Sequence, residues 1–220
     1  MEIRHAEDRD AETIARLFLE ADDARVVSAD VIRHMRRTSP ERARWVVLVA
    51  EAAGAVVAVG NAGLETSTTT KGAAWAFVTV EATYRRRGIG DELGRRLLDH
   101  LHAIGATRTT SFFRWSEKGE RWATARGWSP LLRGPLIAVD PRIVPEPSIP
   151  TGYRCLAMAE VAPEAVYEAD RAASRDEPTP IAADDLQLDD FLRDWNHPTP
   201  ISSRAQRCST RTAASWRSRS

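Results

Sequence analysis

Apolar residues recur along the first two thirds of the chain with two different periods, which predict alternating helices and strands. Ile14, Leu17 and Phe18 follow the three- and four-residue spacing of a helix, whereas residues 74–81 form a short apolar run typical of a buried strand. The predicted helices are residues 6–21, 28–37, 88–104 and 116–126, and the predicted strands are residues 3–5, 44–51, 55–64, 74–81 and 107–113. One or two closing strands are expected within residues 128–140. This order indicates a first α/β unit over residues 1–140.

The pattern changes after residue 140. Four prolines in residues 141–150 indicate a linker. A strand at residues 153–156 and helices at 163–174 and 184–195 then repeat the opening order of the chain, so we interpret residues 151–200 as an incomplete second unit. Its apolar helix faces need cover from the first unit or from a second copy of the chain, which would make a homodimer. Residues 201–220 are rich in Ser and Arg and contain no acidic residue, so we expect them to be disordered.

Composition and charge exclude several classes of function. The chain has 220 residues, 31 basic and 31 acidic, and a formal net charge of +0, so a broad basic surface for nucleic acid is not expected. Two cysteines, Cys155 and Cys208, give neither a disulfide framework nor metal-ligand spacing. The charged N-terminus and the short apolar run at residues 45–50 favour a cytoplasmic protein with no membrane partner.

The candidate chemistry lies at the junction between a strand and a helix. Val78–Val80 ends the strand, Arg85–Arg87 follows, and Gly88 and Gly90 open the next helix. Glycines that expose backbone N–H groups at the positive end of a helix, beside fixed cations, are typical of a site for a pyrophosphate. The alternative is a turn that only needs positive φ. No Gly-Lys-Ser/Thr follows, and Leu93 stands where a dinucleotide fingerprint needs its third glycine.

These residues resemble the GNAT acyltransferase superfamily. The family motif is a strand, Arg/Gln-x-x-Gly-x-Gly/Ala and a helix, which corresponds here to Val78–Val80, Arg85-Arg86-Arg87-Gly88-Ile89-Gly90 and the helix from Asp91. A second landmark, a helix ending in an aromatic residue and then Gly-aromatic, corresponds to Trp122 and Gly127-Trp128. The resemblance covers residues 1–140 and implies a mixed sheet flanked by helices that splays to admit acetyl-CoA as co-substrate. Residues 151–200 are similar to the start of a second such domain.

The resemblance also implies a role for individual residues. Backbone groups of Val78 and Val80 would pair with the pantetheine arm. The loop and the helix start would hold the pyrophosphate, and Ser116 stands where the family often has a cofactor-binding asparagine. The implied cofactor-binding residues are Val78, Thr79, Val80, Arg85, Arg86, Arg87, Gly88, Ile89, Gly90, Asp91 and Ser116. The alternative for Ser116 is a plain helix cap. The Val80 N–H would stabilise negative charge on the thioester oxygen.

The catalytic groups are less clearly defined by the sequence. Ala123 occupies the position where the family often has a tyrosine that acts as the general acid. Glu51, Glu65 and Glu81 are the candidate bases, and Glu81 is preferred because it follows the cofactor strand; a solvated strand-end carboxylate is the alternative. The sequence predicts an N-acyltransferase that acetylates a small amine by direct attack in a ternary complex. The alternative is an acyl-CoA-binding module with a regulatory or degenerate function. No metal site is expected.

Overall fold

The structure is a computed structural model, and it describes residues 1–22, 27–134, 139–140, 142–145, 148–157, 160–176, 181–195 and 207–211. Within these residues, the helices are α1 (Ala11–Ala21), α2 (Ala29–Thr38), α3 (Ile89–Ala103), α4 (Glu117–Thr124), α5 (Pro163–Ala173) and α6 (Leu188–Trp195). The strands are β1 (Glu2–His5), β2 (Val46–Ala52), β3 (Ala55–Leu64), β4 (Ala73–Val80), β5 (Arg108–Thr110), β6 (Tyr153–Ala157) and β7 (Arg207–Arg211).

Strands β1 to β5 form one mixed sheet in the order in which they occur along the chain. The pairs β1–β2, β2–β3 and β3–β4 are antiparallel, whereas β4–β5 is parallel. A parallel neighbour requires a crossover connection, and α3 supplies it across one face of the sheet. The predicted fold class, a mixed sheet flanked by helices, is confirmed.

Helix α3 packs closely against the centre of the sheet. Its Leu93, Leu97 and Leu101 are buried against the alanine-rich faces of β3 and β4. A Cβ atom at Gly60 of β3 would lie 2.8 Å from Leu97 Cδ1. The missing side chain at Gly60 therefore allows α3 to approach the sheet, and this approach fixes where the N-terminus of α3 meets the end of β4.

Helices α1 and α2 cover the opposite face. Ile14 and Leu17 are buried there against Val49 and Val59. Helix α2 begins as predicted at Ser28, whose Oγ accepts a hydrogen bond of 3.3 Å from the Val31 N–H. The two faces of the central strands are therefore distinct: one packs against α3 and the other against α1 and α2.

The N-terminal strand is anchored by a buried ion pair. Asp10 accepts hydrogen bonds of 2.7 and 2.9 Å from the Arg4 guanidinium and one of 2.7 Å from the Glu7 N–H. The Asp10 side chain is only 5% exposed. Arg4 also donates from Nε to Glu51 at 3.0 Å, so one cation joins β1, β2 and the turn before α1.

The residues after the linker contact the first unit at two places. Asp184 accepts hydrogen bonds from the Thr69 N–H at 2.7 Å and the Thr69 hydroxyl at 2.6 Å. Asp190 of α6 is buried and pairs with Arg42 of the first unit and with Arg193. These contacts are polar, so cover for the apolar face of α6 stays a prediction.

The structure differs from the predicted elements in several places. α1 begins at Ala11 instead of residue 6, and α6 begins at Leu188 instead of residue 184. β5 ends at Thr110 instead of residue 113, because its partner β4 diverges from it there. The described residues of the expected closing segment, 128–134 and 139–140, contain no strand, and residues 135–138 lie outside the described part. Arg207–Arg211, within the segment expected to be disordered, pair with the otherwise unpaired edge of β6, while residues 201–206 and 212–220 lie outside the described part.

Candidate functional site

A gap opens in the sheet between β4 and β5. Their pairing ends at Trp75 and Thr110, yet β4 continues to Val80. Five residues of β4, about 17 Å of strand, therefore have a neighbour on the β3 side only, among the residues that the structure describes. This is the splay that the sequence predicted around Val78–Val80.

The hydrogen-bond phase of β4 shows which backbone groups face the gap. The Glu81 N–H donates to the Val57 carbonyl at 2.9 Å, and the Glu65 N–H donates to the Ala73 carbonyl at 2.9 Å. In an antiparallel pair, alternate residues direct both backbone groups towards the partner, so the odd-numbered residues of β4 face β3. The backbone groups of Val78 and Val80 therefore face the gap. Those of Thr79 bond to β3, and its predicted part in cofactor binding stays a prediction.

The gap leads directly to the N-terminus of α3. Gly88 is the N-cap residue, and its φ of +79° lies in the left-handed region that favours glycine. The first helical hydrogen bond runs from the Glu92 N–H to the Gly88 carbonyl at 3.0 Å, and no side chain caps the helix. The N–H groups of Ile89, Gly90 and Asp91 therefore have no partner within the helix and stand at the positive end of its dipole.

The three arginines of the loop have different surroundings. Arg85 Nε donates to the Val80 carbonyl at 2.9 Å, which ties the loop to the end of β4. Arg87 donates to the Thr83 carbonyl at 3.1 Å, and its guanidinium lies over the Tyr84 ring. Arg86 has a φ of +66°, and none of the described residues pairs with its exposed guanidinium. Arg86 is the one of the three whose guanidinium contacts no described residue, and none of the three forms an ion pair within the described part of the chain.

Asp91 and Ser116 use their side chains within the protein. The Asp91 carboxylate forms a two-pronged ion pair with Arg126 at 2.9 and 3.0 Å, and Arg126 stacks over Trp122 of α4. Because the carboxylate of Asp91 is paired, its backbone N–H is the group of this residue that is open to a ligand at the start of α3. Ser116 Oγ accepts a hydrogen bond of 3.0 Å from the Gly119 N–H, which makes Ser116 the N-cap of α4. The cap interpretation of Ser116 therefore describes its contact in the structure.

Glu81 is the candidate base that the fold places at the gap. Its carboxylate accepts hydrogen bonds from the Thr83 hydroxyl at 2.9 Å and from Arg16 of α1 at 3.2 Å. These two interactions lower the pKa of Glu81 below its usual value of 4.5, the Thr83 hydrogen bond first. Glu51 is held by Arg4, and Glu65 bonds to Thr66 and Ser67 at the far end of β3.

The sequence analysis did not identify an aromatic group beside the gap. Trp75 and Phe77 of β4 stack with ring centroids 5.7 Å apart, and Phe112 meets Phe77 edge-on at 4.5 Å. Period-two alternation along β4 could have placed Trp75 and Phe77 on the face opposite Val78 and Val80. Nothing local in the sequence showed that Phe112, beyond the end of β5, would reach them.

Two findings limit other kinds of site. Nowhere in the described ranges do three or more His, Cys, Asp or Glu side chains come together as they would around a metal ion. None of the described helices has both the length and the apolar character needed to cross a membrane.

Comparison with known proteins identifies the family. The family model described as Acetyltransferase (GNAT) family matches residues 5–121, which include the gap, the arginine loop and α3. The chain belongs to the GNAT acetyltransferase family. Members of this family use acetyl-CoA as co-substrate, so the predicted cofactor is confirmed for the family. A search of curated proteins finds no match.

Solved structures of GNAT proteins share the fold. The ribosomal-protein-alanine N-acetyltransferase from Brucella melitensis is 21% identical, with a TM-score of 0.50 over 58% of this chain and 82% of that one. The yncA protein from Salmonella typhimurium, solved with its cofactor acetyl-CoA, is 21% identical, with a TM-score of 0.50 over 63% of this chain and 85% of that one. At this level of identity the likeness concerns the fold alone.

Proposed function

We propose that this GNAT protein is an N-acetyltransferase that transfers the acetyl group of acetyl-CoA directly to the amine of a small acceptor within a ternary complex. The observation that carries the proposal is the continuity of the gap and the helix terminus. Backbone groups of Val78 and Val80 face a gap in the sheet, and that gap runs into an uncapped helix N-terminus. A thioester with an amide-containing arm and a pyrophosphate requires both features at adjoining positions.

The residues present fit such a ligand. The pantetheine amides would pair with the gap-facing backbone of Val78 and Val80 as a neighbouring strand would. The Val78 side chain, 37% exposed, offers an apolar surface to the arm. The pyrophosphate would accept hydrogen bonds from the N–H groups that open α3 and would lie within reach of the unpaired Arg86.

The chemistry required of the protein is modest. Acetyl-CoA supplies an activated acyl group whose thiol leaving group has a pKa of about 8.5. The Val80 N–H is the donor proposed for the thioester oxygen, and its preorganised direction into the gap supports that role. Residues 1–140 contain no cysteine, which favours direct attack by the amine over a thiol-bound acyl-enzyme. Binding both reactants in one cleft then supplies much of the acceleration.

Glu81 is the group that we propose receives the ammonium proton, through water. Its position after β4 supports this role. Its low pKa keeps it ionised at neutral pH but also makes it a weak base. The pH dependence of turnover should therefore follow the ionisation of the acceptor amine instead of that of Glu81.

A second function is favoured by one observation. Among the described residues, the acid–base group at the gap is Glu81, a carboxylate of lowered basicity, and position 123 of α4 carries alanine. A protein with this site could bind acyl-CoA and not turn it over.

The homodimer through the second unit also stays a prediction; sedimentation of the full chain tests it.

Calorimetry with acetyl-CoA, followed by measurement of free CoA release with an amine panel, tests both functions. Saturable binding and acceptor-dependent CoA release are expected for the enzyme. Binding without release across a wide panel would indicate the binding module. A folded sample that does not bind acetyl-CoA at millimolar concentration would contradict both.

A further inference from the structure

Four aromatic rings form a continuous row on the α1–α2 face of the sheet. We call Trp45, Trp75, Phe77 and Phe112 the aromatic row. The centroids of Trp45 and Trp75 are 6.3 Å apart, those of Trp75 and Phe77 are 5.7 Å apart, and those of Phe77 and Phe112 are 4.5 Å apart. The row therefore extends from Trp45, directly before the N-terminal end of β2, to Phe112, two residues beyond the end of β5.

The aromatic row passes beneath the gap. Trp75 is the last residue of β4 that pairs with β5, and Phe77 immediately precedes the gap-facing Val78. Val78 and Val80 direct their side chains towards α3, since a Cβ at Gly90 would contact both. Alternation then places Phe77 on the other face. The Phe77–Phe112 contact thus bridges the diverging strands on the face opposite α3.

The outer end of the aromatic row is open to a ligand. The Phe112 side chain is 72% exposed although it touches Phe77. Phe113 and Trp115, in the same segment, are 53% and 55% exposed. Phe113 lies against Gly119 of α4, so the Phe112 ring is the exposed aromatic surface shown beside Phe77 and the gap.

An asparagine whose amide contacts no described residue lies on the same face. Asn61 of β3 is the register partner of Phe77 and is 5% exposed. None of the described residues hydrogen-bonds to its side chain. The Asn61 side chain is therefore open to a polar group of a ligand or to a water that accompanies it.

The charged residues around this face are already paired with one another. Arg16 contacts Glu81 at 3.2 Å, and Arg114 contacts Asp22 at 4.0 Å. Mixed pairs of this kind provide no net field to select a highly charged acceptor. The selective features that remain are the aromatic surface and the single amide.

We propose that the acceptor is an alkylamine that carries an aromatic ring, and that this ring packs on Phe77 and Phe112. The inference rests on the proposed function and specifies its substrate class. In the reaction the amine nitrogen bonds to the acetyl carbon, the carbon–sulfur bond breaks, CoA leaves as the thiolate, and the proton released by the amine passes through Glu81 to water. The Asn61 amide then favours rings with a hydrogen-bonding substituent.

A matched amine pair tests the proposal in the full chain. CoA release is measured with 2-phenylethylamine and with n-propylamine at saturating acetyl-CoA. Burial of a phenyl ring predicts a kcat/KM about tenfold to hundredfold higher for the aromatic amine. Phe112→Ala should lower kcat/KM for 2-phenylethylamine at least about fivefold more than for n-propylamine, so the preference falls whatever the variant does to the rate common to both amines. Leu98→Ala, an exposed apolar truncation on α3, is the control and should change neither rate.

The outcomes separate this inference from the proposed function. Equal kcat/KM for the two amines, or a preference that Phe112→Ala leaves intact, overturns the aromatic acceptor while acetyl transfer stands. If acetyl-CoA binds but neither amine is acetylated, calorimetry with 2-phenylethylamine in the presence of CoA decides. Saturable binding that Phe112→Ala weakens supports the aromatic site, and its absence refutes it. Failure to bind acetyl-CoA refutes the proposed function itself.

Discussion

Gly90→Trp tests the cofactor cradle with little expected change in stability. A Cβ at Gly90 would lie 3.5 Å from Val80 Cγ2 and 3.9 Å from Val78 Cγ1, which is ordinary van der Waals contact. The new side chain would therefore start in the space between α3 and the gap edge of β4 without a backbone clash. Replacing glycine in the first turn of a helix also removes a small conformational penalty. We expect the midpoint of thermal unfolding of Gly90→Trp to stay near that of the wild-type protein.

The expected effect on binding is much larger. Three N–H groups, those of residues 89–91, have no partner within the helix and are the proposed donors to the pyrophosphate. Each hydrogen bond to a charged group contributes about 1.5–3 kcal/mol. Blocking two of them would cost about 3–6 kcal/mol, so the Kd for acetyl-CoA should rise by a factor of about 10²–10⁴.

Calorimetry with acetyl-CoA measures the effect, and Asp99→Trp is the matched control. Asp99 lies on the same helix, but its side chain is 65% exposed and pairs only with Arg95 among the described residues. The same bulky residue at position 99 should leave the Kd unchanged. If Gly90→Trp is folded and binds acetyl-CoA as tightly as Asp99→Trp, the assignment of the cradle to this helix terminus is wrong.

Three further perturbations have defined outcomes. Gly88→Ala places a side chain at a φ of +79°, so denaturant titration should show a loss of about 1–2 kcal/mol in the free energy of unfolding; no loss would contradict the left-handed cap. Asp10→Ala removes the buried partner of Arg4 and should cost about 3–5 kcal/mol. Burial is the largest single influence and raises the pKa of Asp10, but the hydrogen bonds from Arg4 and the Glu7 N–H and the charges of Arg4 and Arg9 together outweigh it and leave the pKa below 3.8. The pair therefore contributes its full stability above about pH 4, and this contribution is lost as the pH falls through the lowered pKa. Unfolding curves measured from pH 7 to 3 should show this loss of stability in the wild-type protein and not in Asp10→Ala. Because the pKa of Glu81 is also lowered, kcat/KM should rise between pH 6 and 9 as the ammonium group of the acceptor loses its proton. An inflection in that range that Glu81→Gln abolishes would refute this reasoning.

Much of the fold could be predicted from periodicity, because its helices and strands bury continuous apolar faces. The leucines of α3 and the alternating residues of β4 are examples. The prediction was wrong at residues 111–113, where Phe112 and Phe113 suggested a longer β5. Strand propensity measures how well a residue fits a half-buried pleated surface, and it cannot show that the neighbouring strand turns away.

The position of the candidate site could be predicted from the sequence, but the contacts of its individual side chains could not. The glycines and the helix start identified the arginine loop. The sequence could not separate Arg85 and Arg87, which bind backbone carbonyls, from Arg86, which pairs with no described residue. Likewise, the partner of Asp91 is Arg126, 35 residues further along the chain. Such pairings depend on tertiary approach and leave no local pattern.

The gap between β4 and β5 is braced, which indicates a built feature of the sheet. An unpaired strand edge offers N–H and C=O groups to any extended chain and is a hazard unless it is guarded. Arg85 occupies the Val80 carbonyl, and the Phe77–Phe112 contact spans the diverging strands on one face. On the side of α3, the ion pair between Asp91 and Arg126 ties α4 to the helix start. These contacts hold the two strands apart while leaving the gap-facing N–H groups open, so the edge is protected by its surroundings and free for a ligand that pairs as a strand does.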